Sequence, residues 1–138
     1  VGAKDHRILR ADKHPKALIA KLQARLSPRP SMPHSISDVY AGDRIEDQGF
    51  KIDVIATPGA SQGSVMYLFD EILFTGDGLY LVDGKPTLPS SWEVASRSDL
   101  RQSLSRLVQA KFHTLADGRG NTASLGPKDI AAFIKSLD

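Results

Sequence analysis

Two short apolar runs, Val65–Phe69 (VMYLF) and Ile72 to Thr75 (ILFT), are separated only by Asp70 and Glu71. A two-residue connection between strands implies a tight antiparallel hairpin, although Asp-Glu is a poorer turn pair than Asn-Gly. Both runs are apolar at successive positions rather than alternate ones. The hairpin is therefore expected to be covered on both faces.

The remaining elements fall around this hairpin. Residues 51–57 (KIDVIAT) are β-branched and apolar and read as a strand that Pro58-Gly59 ends. Ala41-Gly42-Asp43 reads as a turn, and Gly76-Asp77-Gly78 closes the hairpin. Residues 79–96 hold Gly, Pro, Ser and the single tryptophan, Trp92, and read as irregular. Ser98 is placed to cap a helix with Leu100, Leu104, Leu107 and Val108 on one face. Residues 113–116 read as a short strand and residues 117–121 (DGRGN) as a glycine-rich loop. A last helix starts near Pro127 and carries Ile130, Phe133, Ile134 and Leu137 on one face. Upstream, residues 7–11 (RILRA) read as a buried strand, and Pro15 opens a helical stretch with Leu18, Leu22 and Leu26. Residues 27–33 contain three prolines and read as a linker. Strands in a block flanked by helices predict an α/β or α+β sheet with helices against it.

Composition removes several function classes. The chain has 138 residues, one domain's worth, and 41% of them are hydrophobic. Formal net charge is only +2, and no run of five like charges occurs. Nucleic-acid and anionic-membrane binding are therefore not expected. There is no cysteine, which excludes disulfides, cysteine nucleophiles and thiolate metal sites. That absence fits a reducing compartment, and a cytoplasmic protein is expected. No apolar stretch approaches the roughly 20 residues that span a bilayer. The chain begins at Val1 with polar residues following, so no signal peptide is visible, and a processed product or fragment is expected.

Residues 57–77 (TPGASQGSVMYLFDEILFTGD) resemble the metallo-β-lactamase superfamily. That family shows Thr-Pro-Gly-His, a spacer with Gly-Ser, and a hairpin ending in Thr-Gly-Asp. Thr57-Pro58-Gly59, Gly63-Ser64 and Thr75-Gly76-Asp77 fall at matching spacings. Residues 41–45 (AGDRI) resemble the turn before the preceding strand, and Ala116-Asp117-Gly118 stands where the family has a late Gly-His-Gly loop. A single match of this kind is weak, and the ordered set is moderately specific. The resemblance covers residues 37–138 closely and residues 1–36 loosely. It implies an αββα sandwich, present as a partial or N-terminally truncated copy within one domain over residues 1–138.

The resemblance also implies a dinuclear metal centre, in which imidazoles and carboxylates lower the pKa of a bridging water. Here the family's TPGH histidine is Ala60, which offers no lone pair, and the late-loop histidine is Asp117. The HxHxDH motif is missing. Either it lay upstream of Val1, or residues 1–6 (VGAKDH) are its eroded remnant. Asp77 and Asp117 remain as candidate metal ligands, although each reads more readily as a turn-capping carboxylate. Zinc, manganese or magnesium are the metals such a site would take, and no cofactor is the working expectation. Ala60, Ser61, Ser64, Trp92, His113 and Arg119 are candidate pocket residues. The serines lack a GxSxG or SxxK context for a nucleophile. Arg119, between two glycines, is a candidate anion contact or a solvated loop residue. His6, His14 and His34 share no ligand spacing and read as surface residues. The expected function is ligand or protein binding by a degenerate, non-catalytic or weakly metal-binding member of the fold. The alternative is a metal-dependent hydrolase of ester, thioester, lactone, β-lactam or phosphodiester bonds. A sandwich lacking half its cover would expose apolar surface, so a homodimer is expected.

Overall fold

Asp70 and Glu71 both adopt left-handed backbone, with φ of 49° and 60°. Positive φ at both central residues is the signature of a type I′ turn, whose twist matches that of paired strands. The computed structural model describes residues 37–137. In it this turn joins β3 (Val65–Phe69) to β4 (Ile72–Gly76). Around the pair lie β1 (Arg44–Asp47), β2 (Phe50–Ala56), β7 (Thr114–Asp117) and β8 (Thr122–Ala123). The six form one sheet in the order β1-β2-β3-β4-β7-β8. Only the β4–β7 pair is parallel, with Ile72 opposite Thr114 and Gly76 opposite Asp117. Between β4 and β7 the chain makes a second, two-stranded sheet of β5 (Tyr80–Val82) and β6 (Lys85–Thr87), then helix α1 (Arg97–Leu107). Helix α2 (Pro127–Lys135) follows β8.

One face of the large sheet carries the core. Register puts Leu68 opposite Leu73 and Leu73 opposite Leu115, and Met66 lies on that same face. Met66, Leu73 and Leu115 are fully buried, in one cluster with Leu79, Leu104, Leu107, Phe112 and Ile130. Helix α1 turns Leu100, Leu104 and Leu107 inward at full burial, and α2 contributes Ile130 with Phe133 and Ile134 beside it. The other face is different. Tyr67 pairs with Phe74 there, and Phe50 meets Phe69 edge-on at 5.7 Å between ring centroids. Phe74 is 41% exposed and Phe50 57% exposed. Among the described residues the expected cover is thus complete on the first face and partial on the second, where Val54, opposite Tyr67, is 2% exposed.

Several boundaries depart from expectation for local reasons. Residues 79–96 are not wholly irregular: Asp83 and Gly84 both take positive φ and turn β5 into β6. The α1 cap is Ser96 rather than Ser98, because Ser96 is extended and its Oγ accepts the Asp99 N–H at 3.2 Å. Val108 is the C-cap and is 38% exposed, so the buried stripe stops at Leu107. Helix α2 begins as expected at Pro127, where the missing N–H of proline is harmless. Asp129 Oδ2 accepts the Gly126 N–H at 2.8 Å and secures that end. β1 and β8 had no sequence signal: β1 (RIED) is exposed at every position and β8 has two residues. The strand at residues 7–11, the helix from Pro15, the linker at 27–33 and His6, His14 and His34 lie outside the described residues.

Leu104 sits at the centre of the core, where truncation leaves a cavity that rigid sheet and helices cannot close. Leu104→Ala is expected to lower unfolding free energy by about 2–5 kcal/mol, read as a shift in urea midpoint at unchanged slope.

Candidate functional site at one end of the sheet

Strand register decides which loops meet. Ala56 pairs with Val65, Tyr67 with Phe74, and Gly76 with Asp117. Loops 57–64, 77–79 and 118–121 therefore emerge at the same end of the sheet. His113 precedes β7 and lies at the opposite end. Its Nε2 is 3.4 Å from Glu71 Oε2, and its Nδ1 is 2.9 Å from Thr114 Oγ1. Of the residues singled out in sequence, Ala60, Ser61, Ser64, Asp77, Asp117 and Arg119 are brought to the first end. His113 is not.

The first loop is built to receive helix α1. Gly59 has φ of +143°, and a Cβ there would lie 2.3–2.4 Å from the backbone and Cβ of Leu100. Only glycine lets the loop and helix approach so closely. The Gly59 carbonyl accepts the N–H groups of Ala95 and Ser96, both at 2.9 Å, and Ser103 Oγ donates to the Pro58 carbonyl at 2.8 Å. Ser64 Oγ accepts the Ser61 N–H at 2.8 Å, and the two hydroxyl oxygens are also 2.8 Å apart. These serines fold the loop on itself. Ala60 presents a methyl group, which offers no lone pair to a ligand.

The second loop depends on Thr75, which is 1% exposed. Its hydroxyl donates to the Leu79 carbonyl at 2.7 Å, and the Gly78 N–H returns to the Thr75 carbonyl at 3.0 Å. Asp77 is left exposed at the turn. Its one described hydrogen-bond contact is the Tyr80 hydroxyl at 3.5 Å, a long bond.

Asp117 has a different setting. Its Oδ1 accepts the backbone N–H groups of Arg119 (2.9 Å) and Asn121 (2.8 Å). Its Oδ2 accepts the Leu81 N–H (3.0 Å) and the Asn121 side-chain amide (2.9 Å). Four donors occupy the carboxylate, close to its full capacity. Burial alone would push this carboxyl's pKa up. The Asn121 amide, with the N–H groups of Leu81, Asn121 and Arg119, outweighs it and holds the group well below the usual carboxylate range. The same loop packs on β4: the Gly118 N–H donates to the Gly76 carbonyl at 3.1 Å, and a Cβ on Gly118 would lie 3.0 Å from that carbonyl.

Above this loop Arg119 lies over the Tyr80 ring, its guanidinium carbon 3.5 Å from the ring centroid. Arg119 Nη2 also reaches Glu93 Oε1 at 3.3 Å. Glu93 Oε2 accepts the Ser90 N–H at 2.7 Å, so its carboxylate is oriented from its own loop. Tyr80 is 8% exposed. Burial first, then the charges of Asp77 and Glu93, raise its phenol pKa against the pull of Arg119. Trp92, beside Glu93, is 50% exposed. Tyr80, Glu93 and Asn121 were not singled out in sequence. Asn121 alone had a usable signal, since an Asx residue closing a DGRGN loop is a turn former.

The sign of the pH dependence follows from Asp117. Its carboxyl pKa is depressed in the folded state. The stability it contributes is full above the unfolded value of about 4 and is lost as pH falls further, toward the folded value. Asp117→Asn is expected to destabilise by about 1–3 kcal/mol at neutral pH by leaving donors without an anionic acceptor. The gap from wild type should narrow below about pH 4 in urea titrations across pH.

No known protein-family model matches the chain, and no curated protein matches it. Solved structures do. The chain is similar to an archaeal metallo-β-lactamase superfamily protein from Sulfolobus tokodaii, at 18% identity and a TM-score of 0.62, over 97% of this chain and 49% of that one. It is similar to a metallo-β-lactamase family protein from Thermus thermophilus, at 20% identity and a TM-score of 0.60, over 96% and 47%. It is also similar to the B3 metallo-β-lactamase BLEG-1, at 21% identity and a TM-score of 0.63, over 90% and 58%. The chain thus has the metallo-β-lactamase fold and spans about half the length of the solved structures it matches.

Proposed function

We propose that this end of the sheet is a ligand- or protein-binding site on a metallo-β-lactamase fold whose metal chemistry has been given up. The observation that carries this reading is the saturation of Asp117. A carboxylate that accepts four N–H bonds has no lone pair to spare for a cation without breaking them. Ala60 contributes no ligand, and His113 is at the far end of the sheet. Among the described residues no group of three or more His, Cys, Asp or Glu converges. These residues do not fit the pair of metal ions that the fold family implies. Asp77, exposed and loosely bonded, is the one carboxylate that favours the second reading, a hydrolase with a reduced metal site.

Elemental mass spectrometry of the protein as purified, and after dialysis against Zn²⁺ or Mn²⁺, decides between them. The expected outcome is no stoichiometric metal and an unchanged Asp77→Ala variant. Stoichiometric metal that disappears in Asp77→Ala overturns the binding reading and directs a screen of ester, thioester and phosphodiester substrates.

The sheet face opposite the helices supports a proposal about partners. Phe50, Phe69, Tyr67 and Phe74 lie on it, and two of them are substantially exposed. A contiguous apolar face of this kind favours burial against another surface. We take the occupant to be a second copy of the chain, in a closed two-fold pair. Among the described residues no helix is long and apolar enough to cross a membrane. A cytoplasmic location is proposed from the lack of cysteine. Sedimentation velocity is expected to give a concentration-dependent mass rising toward the dimer, with Phe74→Ser shifting it to monomer. A monomer mass at all concentrations would dismiss the pair.

A further inference from the structure

We propose that the face of Tyr80 and the carboxylate of Glu93 form a seat for a guanidinium or alkylammonium group, filled in the resting chain by the side chain of Arg119. The proposal rests on the reading of this sheet end as a binding site and names the class of ligand it takes.

The seat is assembled without its occupant. Tyr80 belongs to β5, whose Leu81 N–H is tied to Asp117 Oδ2 at 3.0 Å. Glu93 is oriented by the Ser90 N–H at 2.7 Å. Asp77 stands at the phenol edge, 3.5 Å from the Tyr80 hydroxyl. The backbone of the Arg119 loop is held by Asp117 through the N–H groups of Arg119 and Asn121. None of these bonds uses the Arg119 guanidinium. Removing that side chain therefore leaves ring, carboxylates and loop in place.

What remains has one sign. Without Arg119, an aromatic face is flanked by two carboxylates, Glu93 and Asp77. An aromatic face attracts a cation through its quadrupole, and adjacent carboxylates add to the attraction. An anion would meet only repulsion there. Arg119 is thus better described as the first cation bound at this place than as a receptor for anions, since its charge already faces Glu93 at 3.3 Å. Its hold is loose. The Arg119 side chain is 54% exposed, and ion pairs that exposed are weak. The tethered guanidinium competes with free cations as a ligand at an effective concentration on the order of millimolar. A ligand that outcompetes it would swing Arg119 into solvent and uncover the Tyr80 face.

The test uses the whole chain in EDTA, so that it is blind to metal and metal analysis is blind to it. Methylguanidinium and N-acetylarginine amide are titrated into wild type and Arg119→Ala, with ¹H–¹³C signals of the tyrosine rings as readout. Arg119→Ala should bind at least about threefold more tightly than wild type, because the tethered competitor is gone. The gain should vanish in Arg119→Ala combined with Glu93→Gln, a near-isosteric change at a part-buried side chain that keeps an oxygen for the Ser90 N–H. Equal gains for both probes assign a small free cation, and a gain for the amide alone assigns an arginine of a bound chain. No gain in Arg119→Ala, a gain that persists without Glu93, or equal binding of acetate overturns the seat.

Discussion

The Asp117 carboxylate joins segments that are far apart in the chain. It ends β7, receives two N–H groups from its own loop, a third from the Asn121 side chain, and a fourth from Leu81 in β5. Each bond is charge-assisted, which makes it stronger than a neutral one. Together they set the position of β5 against the end of the large sheet, and hence where Tyr80 stands. Arg119 and Glu93 are arranged on top of that placement. Thr75 and Gly118 complete it from below, the one by a bond to the Leu79 carbonyl and the other by its close approach to Gly76. The stacking of Arg119 on Tyr80 is built on this joint.

The hairpin, the two described helices and the three loops were legible in the sequence. Their signals are local: a two-residue turn, leucines spaced along a helix, proline at a helix start, glycines in a loop. β1 was not legible, because an edge strand read as RIED carries no buried face to impose alternation. The β5–β6 hairpin was missed for another reason. Asp83-Gly84 is a strong turn pair, yet its flanks contain proline and lysine and hide the strands. The cap at Ser96 rather than Ser98 turns on backbone geometry, since three serines lie within residues 96–103 and only an extended one can cap.

The candidate site was legible as a set of positions and not as a set of contacts. Asp77 and Asp117 are both aspartates that precede glycine in the chain, and that local pattern does not tell which of them is held by hydrogen bonds. In the fold one is exposed and nearly bare while the other is saturated. That difference comes from Leu81, thirty-six positions from Asp117, whose amide arrives only because β5 lies beside β7. Likewise Arg119 is paired with Glu93 across twenty-six positions. Long-range hydrogen bonds of this kind carry no local pattern, which is why Tyr80 and Glu93 went unmarked while Ala60 and Trp92 did not.

The far end of the sheet has its own fastening. The Glu71 carbonyl accepts the N–H groups of His113 and Thr114, while its carboxylate faces Lys111 and His113. Parallel strands lack the short turn that sets register in a hairpin, so β7 must be indexed to β4 by other means. Glu71 does so at the start of the pair, and Asp117 with Gly118 does so at its end. A slip by one residue would exchange Leu115 with a neighbour and turn it out of the core. A slip by two would preserve the faces but break both fastenings at once. The turn at one end of the molecule thus works as a zero mark, from which the length of β4 measures out where the binding loops begin.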